Sequence, residues 1–140
     1  MKILLAVDGS PFTKKMLAYL TTHSEMLAGT QEYTALTVQT PLPPRARAAL
    51  GKAVVEQYYE EQGQKVLVPV EKYLARHNVN FKPLIKVGPA GETIAKVAEA
   101  GEFDMIIMGT QGHGALGKLI MGSVSTQVLA SCHVPVLLVR

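Results

Sequence analysis

Three short runs of this chain are almost uninterruptedly apolar: Ile3-Leu-Leu-Ala-Val7, Phe103-Asp-Met-Ile-Ile-Met108 and Val134-Pro-Val-Leu-Leu-Val139. A strand with one wet face alternates apolar and polar residues. A strand without that alternation is buried on both faces, which parallel sheets covered by helices require. Between such runs the apolar residues recur at helical spacing. The pattern reads β-α-β-α-β-α-β-α-β, and it predicts an α/β fold with helices on both faces of a parallel sheet.

Taken in order, Lys2 to Val7 is the first strand and Asp8-Gly9-Ser10 ends it. Ser10 is a good N-cap and Pro11 suits the first helical position. The helix is expected to run to about Ala28, through Met16, Leu17, Leu20, Met26 and Leu27, with Gly29 as its stop. Glu32 to Thr40 is the second strand, and Pro41, Pro43 and Pro44 follow it in an exposed loop. A long helix then extends from the Arg45–Leu50 region to His77. Gly51 and Gly63 weaken it, Pro69 predicts a kink or break, and Gly63 is a candidate point of separation into two helices. The face expected on the sheet carries Val54, Tyr58, Val66, Val70, Tyr73 and Leu74. Phe81 to Val87 is the third strand, and Pro83 assigns it to a sheet edge, because proline donates nothing to a ladder. Gly88-Pro89-Ala90-Gly91 opens a helix to about Ala100, with Ile94, Ala95, Val97 and Ala98 facing inward. The fourth strand spans Phe103 to Met108, the last helix Ser123 to Ser131, and the fifth strand Val134 to Arg140.

The stretch after the fourth strand holds five glycines within fourteen residues: Gly109, Gly112, Gly114, Gly117 and Gly122. Glycines let backbone N–H groups come close to a phosphate, and a following helix start adds donors and the positive end of its dipole. Ser123 and Ser125 can contribute hydroxyls, and Ser123 can cap the helix. Lys118 and His113 lie inside the loop, each either a phosphate contact or a solvated loop residue. The loop is not a P-loop, because Leu119 stands where the magnesium-binding hydroxyl belongs. Gly112-His-Gly-Ala-Leu-Gly117 matches Gly-x-Gly-x-x-Gly, but after the fourth strand rather than the first. In open parallel sheets a ligand sits beyond the strand C-termini where strand order reverses. Asp8 and the glycine stretch both lie at such ends, so they line one crevice if strands one and four are neighbours.

Composition excludes other classes. The chain of 140 residues is expected to be one domain, 1–140, large enough for a real core. No apolar run approaches the ~18 residues of a membrane helix, and the N-terminal run reads as a strand rather than a signal peptide. The single cysteine, Cys132, suits a reducing cytoplasm and a small buried or half-buried role. The net charge of +3 is scattered, without the basic stripe and interleaved aromatics that a nucleic-acid interface needs. His23, His77 and His133 have no metal spacing, and Glu56, Glu60 and Glu61 read as a solvated helix face. Asp104 reads as structural.

The spacing Gly109-x2-Gly112-x9-Gly122-Ser123 resembles the ATP-binding signature of the universal stress protein family. Ile3-Leu-Leu-Ala-Val-Asp-Gly-Ser10, Val87-Gly-Pro89 leading to Gly109, and Gly122-Ser-Val-Ser125 with Val134–Val139 extend the resemblance over nearly the whole chain. The resemblance implies a three-layer α/β/α domain, adenine nucleotide alpha hydrolase-like, with a five-stranded parallel sheet of order 3-2-1-4-5 and an adenine-nucleotide site at the switch point. It implies Asp8, with Gly9 and Ser10, at the adenosine or ribose, and Val38 at adenine. Gly109 and Gly112 would approach ribose and phosphates, and Gly122, Ser123, Val124 and Ser125 would hold the phosphates. The cofactor expected is ATP, alone or with Mg²⁺.

The chain offers only two aspartates, Asp8 and Asp104, and no defensible nucleophile and base pair. The function expected is therefore a nucleotide-dependent stress-response regulator in the cytoplasm, with slow or no hydrolysis and no assigned catalytic or metal-binding residue. Two alternatives stand beside it: a small ATPase or adenylyl-transfer enzyme of related fold, and a chaperone-like interaction module without nucleotide. No membrane or nucleic-acid partner is expected. The apolar last strand, if it lies at a sheet edge, predicts a homodimer through residues 134–139.

Overall fold

In the computed structural model, which describes residues 1–27, 29–110 and 122–140, five parallel strands form one sheet in the order β3-β2-β1-β4-β5. The strands are β1 (Lys2–Ala6), β2 (Glu32–Gln39), β3 (Phe81–Val87), β4 (Met105–Gly109) and β5 (Val136–Val139). The helices are α1 (Pro11–Thr22), α2 (Ser24–Leu27), α3 (Pro44–Leu50), α4 (Lys52–Arg76), α5 (Ala90–Ala100) and α6 (Ser123–Ser131). Strand order and the three-layer α/β class agree with the sequence.

The continuous apolar runs are explained by where each strand face points. Ile3, Leu5 and Val7 meet Met16, Leu17 and Leu20 of α1 and Leu67, Val70 and Leu74 of α4. Leu4, with Leu36 and Ile106, meets Ile94 and Ala98 of α5 and Val128 of α6 on the other face. β1 is thus covered on both sides and paired on both edges, Ile3 standing beside Tyr33 of β2 and Met105 of β4. Pro83 sits in edge strand β3, opposite Ala35, where its missing N–H removes no central ladder bond.

Several boundaries differ from the sequence expectations. The first helix stops at Thr22 instead of running on to about Ala28. The Thr21 and Thr22 hydroxyls donate to the carbonyls of Leu17 and Ala18, and His23 caps the end in an extended conformation with Nδ1 2.7 Å from Tyr19 O. The His23 ring thus occupies the Tyr19 carbonyl that a continuing helix would give to the His23 N–H. The long helix breaks at Gly51, not at Gly63 or Pro69. Gly51 holds φ 83°, a conformation glycine adopts freely, and its N–H closes α3 on Arg47 O. α4 then passes unbroken through both later residues. Its sheet-facing stripe is Val55, Gly63, Leu67, Val70 and Leu74, while Val54 and Tyr58, expected inside, are exposed.

Strand β4 begins at Met105 because Phe103 and Asp104 are used otherwise. Asp104 Oδ2 accepts from Lys2 N at 2.7 Å, and the Lys2 ammonium lies over the Phe103 ring. Asp104 is structural, as expected. Cys132 follows the last helix rather than lying within it, and is half-buried. Burial pushes the Tyr33 phenol up from its ordinary range, and its hydroxyl donates to Met26 O.

Gly63 sets how closely α4 approaches the sheet. A Cβ there would fall 2.5 Å from Ile85 Cδ1 and 2.9 Å from its Cγ2. Glycine in an open helix is a liability of about 1 kcal/mol relative to alanine, but here it is what lets the backbone reach β3. Gly63→Val should lower the unfolding free energy by about 1–3 kcal/mol through overpacking. Urea denaturation measures this, and an unchanged midpoint would show that α4 can lift off β3 without cost.

Candidate functional site

β1 is followed by Asp8-Gly9-Ser10, and this turn is built by its own side chains. Asp8 Oδ1 accepts from Ser10 N and from Thr13 Oγ1, both at 2.9 Å. Thr13 Oγ1 in turn accepts from Asp8 N at 3.1 Å. Gly9 holds φ 79°, which lets the chain reverse between the strand and α1. The carboxylate is thereby oriented at the C-terminal end of the central strand. Ser10 is the N-cap by position, yet no side-chain bond caps the helix. Its hydroxyl is buried without a partner.

The second part of the site comes from β4 and α6. Thr110 N donates to Val139 O, continuing the pairing of β4 with β5. Thr110 O then accepts from Gly122 N and, at 2.9 Å, from Ser125 Oγ. The chain therefore leaves and re-enters at one point, with residue 122 clasped to residue 110. Gly122, not Ser123, is the N-cap of α6, in an extended conformation and without a side-chain cap. Ser123 is the first helical residue and is exposed. Ser125 is 2% exposed and gives its hydrogen to backbone carbonyls, so it holds the helix start against the end of β4. Gly112, His113 and Lys118 lie outside the described residues.

Between these parts lies a cleft of about 640 Å³ at the C-terminal ends of β1, β2 and β4. Its apolar lining includes Ala6, Leu36, Val38, Ile94 and Met108. Asp8, Gly9 and Thr13 stand on one side, and Gly109, Thr110 and Gly122 to Ser125 on another. Thus Asp8, Gly9, Val38, Gly109, Gly122, Ser123, Val124 and Ser125 are brought to one cavity, whereas Ser10 is buried and does not line it. β1 lies between β2 and β4, where the chain's progress across the sheet reverses, and the cleft opens at that reversal.

Sequence reasoning missed part of the lining. Thr37, Gln39 and Thr40, at the end of β2, line the cleft, as do Gln62, Lys65 and Val66 of α4. The β2 residues carry a usable signal, since they lie at the C-terminal end of a strand next to the reversal. The α4 residues carry none, because they sit in the middle of a long helix far away in the chain. Among the described residues, Asp8 and Lys65 are the charged groups in the lining. No group of three or more His, Cys, Asp or Glu among the described residues could hold a metal, and no helix among them is long and apolar enough to cross a membrane.

Comparison with known proteins agrees with this architecture. The family model described as "Universal stress protein family" matches residues 1–140. A universal stress protein of Thermus aquaticus is 34% identical over 143 residues, covering 99% of this chain and 97% of its own. A universal stress protein of Synechocystis sp. is 32% identical over 99% of this chain, which spans only 42% of that longer relative. Among solved structures, the protein MJ0577 of Methanocaldococcus jannaschii superimposes with a TM-score of 0.77 at 27% identity, over 99% of this chain and 94% of its own. An Arabidopsis thaliana family member with AMP bound shares the fold at a TM-score of 0.69 and 15% identity, over 99% and 90% of the two chains.

One hydroxyl, that of Thr13, ties the Asp8 turn to α1. Thr13→Val removes a donor to the carboxylate and the acceptor of the half-buried Asp8 N–H. It should lower the unfolding free energy by about 1–3 kcal/mol, measured by urea denaturation. An unaltered value would mean the turn holds itself without Thr13.

Proposed function

The chain belongs to the universal stress protein family, and on that footing we propose that it binds an adenine nucleotide, ATP, in the cleft above the β1–β4 reversal. The observation that carries this reading is the joining of two unlike surfaces in one cavity. One is the glycine-capped start of α6, whose N–H groups and dipole favour phosphate. The other is an apolar slot at Val38, Leu36 and Ile94 that suits a planar base. Asp8, oriented by Ser10 and Thr13, stands between them, where a carboxylate accepts from ribose hydroxyls. Gly109 leaves room for close approach of the sugar and phosphates, Gly112 is assigned the same role, and Ser123 is the exposed hydroxyl at the helix start. Gly9 shapes the Asp8 turn, and buried Ser10 supports it from below. Ser125 acts through the backbone it clasps, and Val124 through its place beside Gly122.

Mg²⁺ enters this reading as the counter-ion of the phosphates. Binding rather than turnover is the assigned activity. Of the titratable groups that line the cleft among the described residues, Asp8 is committed to its turn and Lys65 lies on α4, so neither forms a nucleophile and base pair. Occupancy would act in stress response by setting conformation or partner choice in the cytoplasm. That a fold-sharing relative carries AMP supports an adenine ligand.

Calorimetric titration of ATP with Mg²⁺ into the protein tests the reading, beside Gly122→Val. Gly122 has an extended backbone that valine also adopts, so the substitution acts through its bulk at the phosphate approach. Binding by the parent and its loss, by about tenfold or more in Kd, in the variant is the expected result. No binding by the parent would overturn it.

The second proposal concerns assembly. β5 is an edge strand, and Val136, Leu137 and Leu138 are only half-buried. An apolar edge is a pairing surface, and a two-fold axis would cover it with its twin through residues 134–139. Sedimentation should give twice the 15.1 kDa chain mass, and Leu138→Lys should give monomers. A monomeric parent, or a variant of unchanged dimeric mass, would count against the edge.

A further inference from the structure

We infer that the middle of α4 is a base-reading wall of the cleft, with Gln62 hydrogen-bonding the edge of the adenine. This rests on the nucleotide reading above and assigns the part of the site that selects the base.

The wall follows from the close approach at Gly63. With no Cβ to hold it away from Ile85, the α4 backbone is seated against the sheet at this level. Gln62, Lys65 and Val66 lie at helical i, i+3 and i+4 positions, on one stripe beside Gly63. All three line the cleft. Gln62 is half-buried where it lines the cleft, while Lys65 is exposed. Facing this stripe is the end of β2. Thr37 is 1% exposed, and Gln39 Nε2 lies 3.3 Å from its hydroxyl, oriented to donate.

The two ends of the cleft are chemically different. The start of α6 presents backbone donors with a positive dipole end, which fits an anion. Besides the exposed Lys65, the α4 and β2 end presents two carboxamides and two threonine hydroxyls, groups that both donate and accept. A phosphate has only acceptors for such a surface, whereas a purine edge carries a donor beside an acceptor. A glutamine carboxamide meets the amino group and a ring nitrogen of adenine with a matched pair of bonds. The spacing agrees. β2 and β4 are separated by β1, hence by two strand spacings, roughly 10 Å, which suits phosphate at one end and base at the other. Gln62 is also carried on a 25-residue helix rather than on a loop, so its position is set before the ligand arrives.

The experiment compares the parent with Gln62→Leu and Lys65→Met. Each is titrated calorimetrically with ATP and with purine riboside triphosphate, which lacks the 6-amino group. Thermal unfolding verifies that each variant is folded. The parent should prefer ATP by about tenfold, the worth of one hydrogen-bond pair, and Gln62→Leu should bind both ligands alike. Equal preference in the parent, or a preference that survives in Gln62→Leu, would overturn the inference. Loss of affinity for both ligands in Lys65→Met, with Gln62→Leu unaffected, would overturn it too and make this end an anion site. A parent that binds neither ligand refutes the nucleotide reading itself, an outcome distinct from these.

Discussion

Everything in this fold hangs on β1 being the middle strand of the five, with a helix layer over each face and a strand along each edge. Leu4 and Leu5 point to opposite layers, and both are fully buried. Such a position accepts only apolar side chains, and it permits no polar group in the middle of the strand without a lost hydrogen bond. Because β2 is added on one edge and β4 on the other, the connections leave the sheet in opposite directions after the reversal. The helices that follow cannot cover the space between, and a crevice is left at the C-terminal end of the central strands. The site is therefore a by-product of the packing that makes the core. Asp8 is the first residue past the buried run on β1 that can be polar, and it is placed at the mouth of that crevice.

The glycines act through several distinct physical effects. Gly9 supplies a positive φ that the turn after β1 needs, and Gly51 does the same between α3 and α4. Gly63 is used for the absence of its side chain, since Ile85 occupies that volume. Gly91 is similar, for a Cβ there would lie 2.4 Å from Gln127 Cβ, where α5 crosses the first turns of α6. That last contact matters for the site, because it sets α5 against the helix whose start faces the cleft. Two helix contacts made close by glycine thus fix the walls on both sides of the sheet.

Local hydrogen-bonding chemistry decided where elements ended. Serine at an N-cap position suggested a side-chain cap twice, and neither was formed. At α1 the Asp8–Thr13 pair organises the turn, and at α6 the Ser125 hydroxyl turns back to Thr110. In both places a side chain within reach of a strand end was used to join strand to helix, and at α6 the first residues of the helix line the cleft. An uncapped helix start is a poor use of a serine for helix stability alone.

The fold class, the edge position of β3 and the limits of α6 were legible in the residues, each from information local in the chain: apolar continuity, a proline, or a strand–glycine–helix sequence. The strand order came only through the family resemblance. That Asp8 and the glycine stretch lie at strand C-terminal ends was legible from their turns, but their meeting with Val38 about one crevice was implied only by the family resemblance. What the residues alone did not disclose was decided by contact between distant segments. The use of Gly63 as a close contact rather than a break depended on Ile85, which occupies the space beside it. The exposure of Val54 and Tyr58 depended on which stripe of α4 turns inward, the one carrying Val55, Leu67, Val70 and Leu74. The presence of Gln62 and Lys65 in the cleft depended on the height of α4 above β2. Periodicity tells which face of a helix is apolar, but only packing against a particular strand fixes how close that face lies and which neighbouring side chains reach the site.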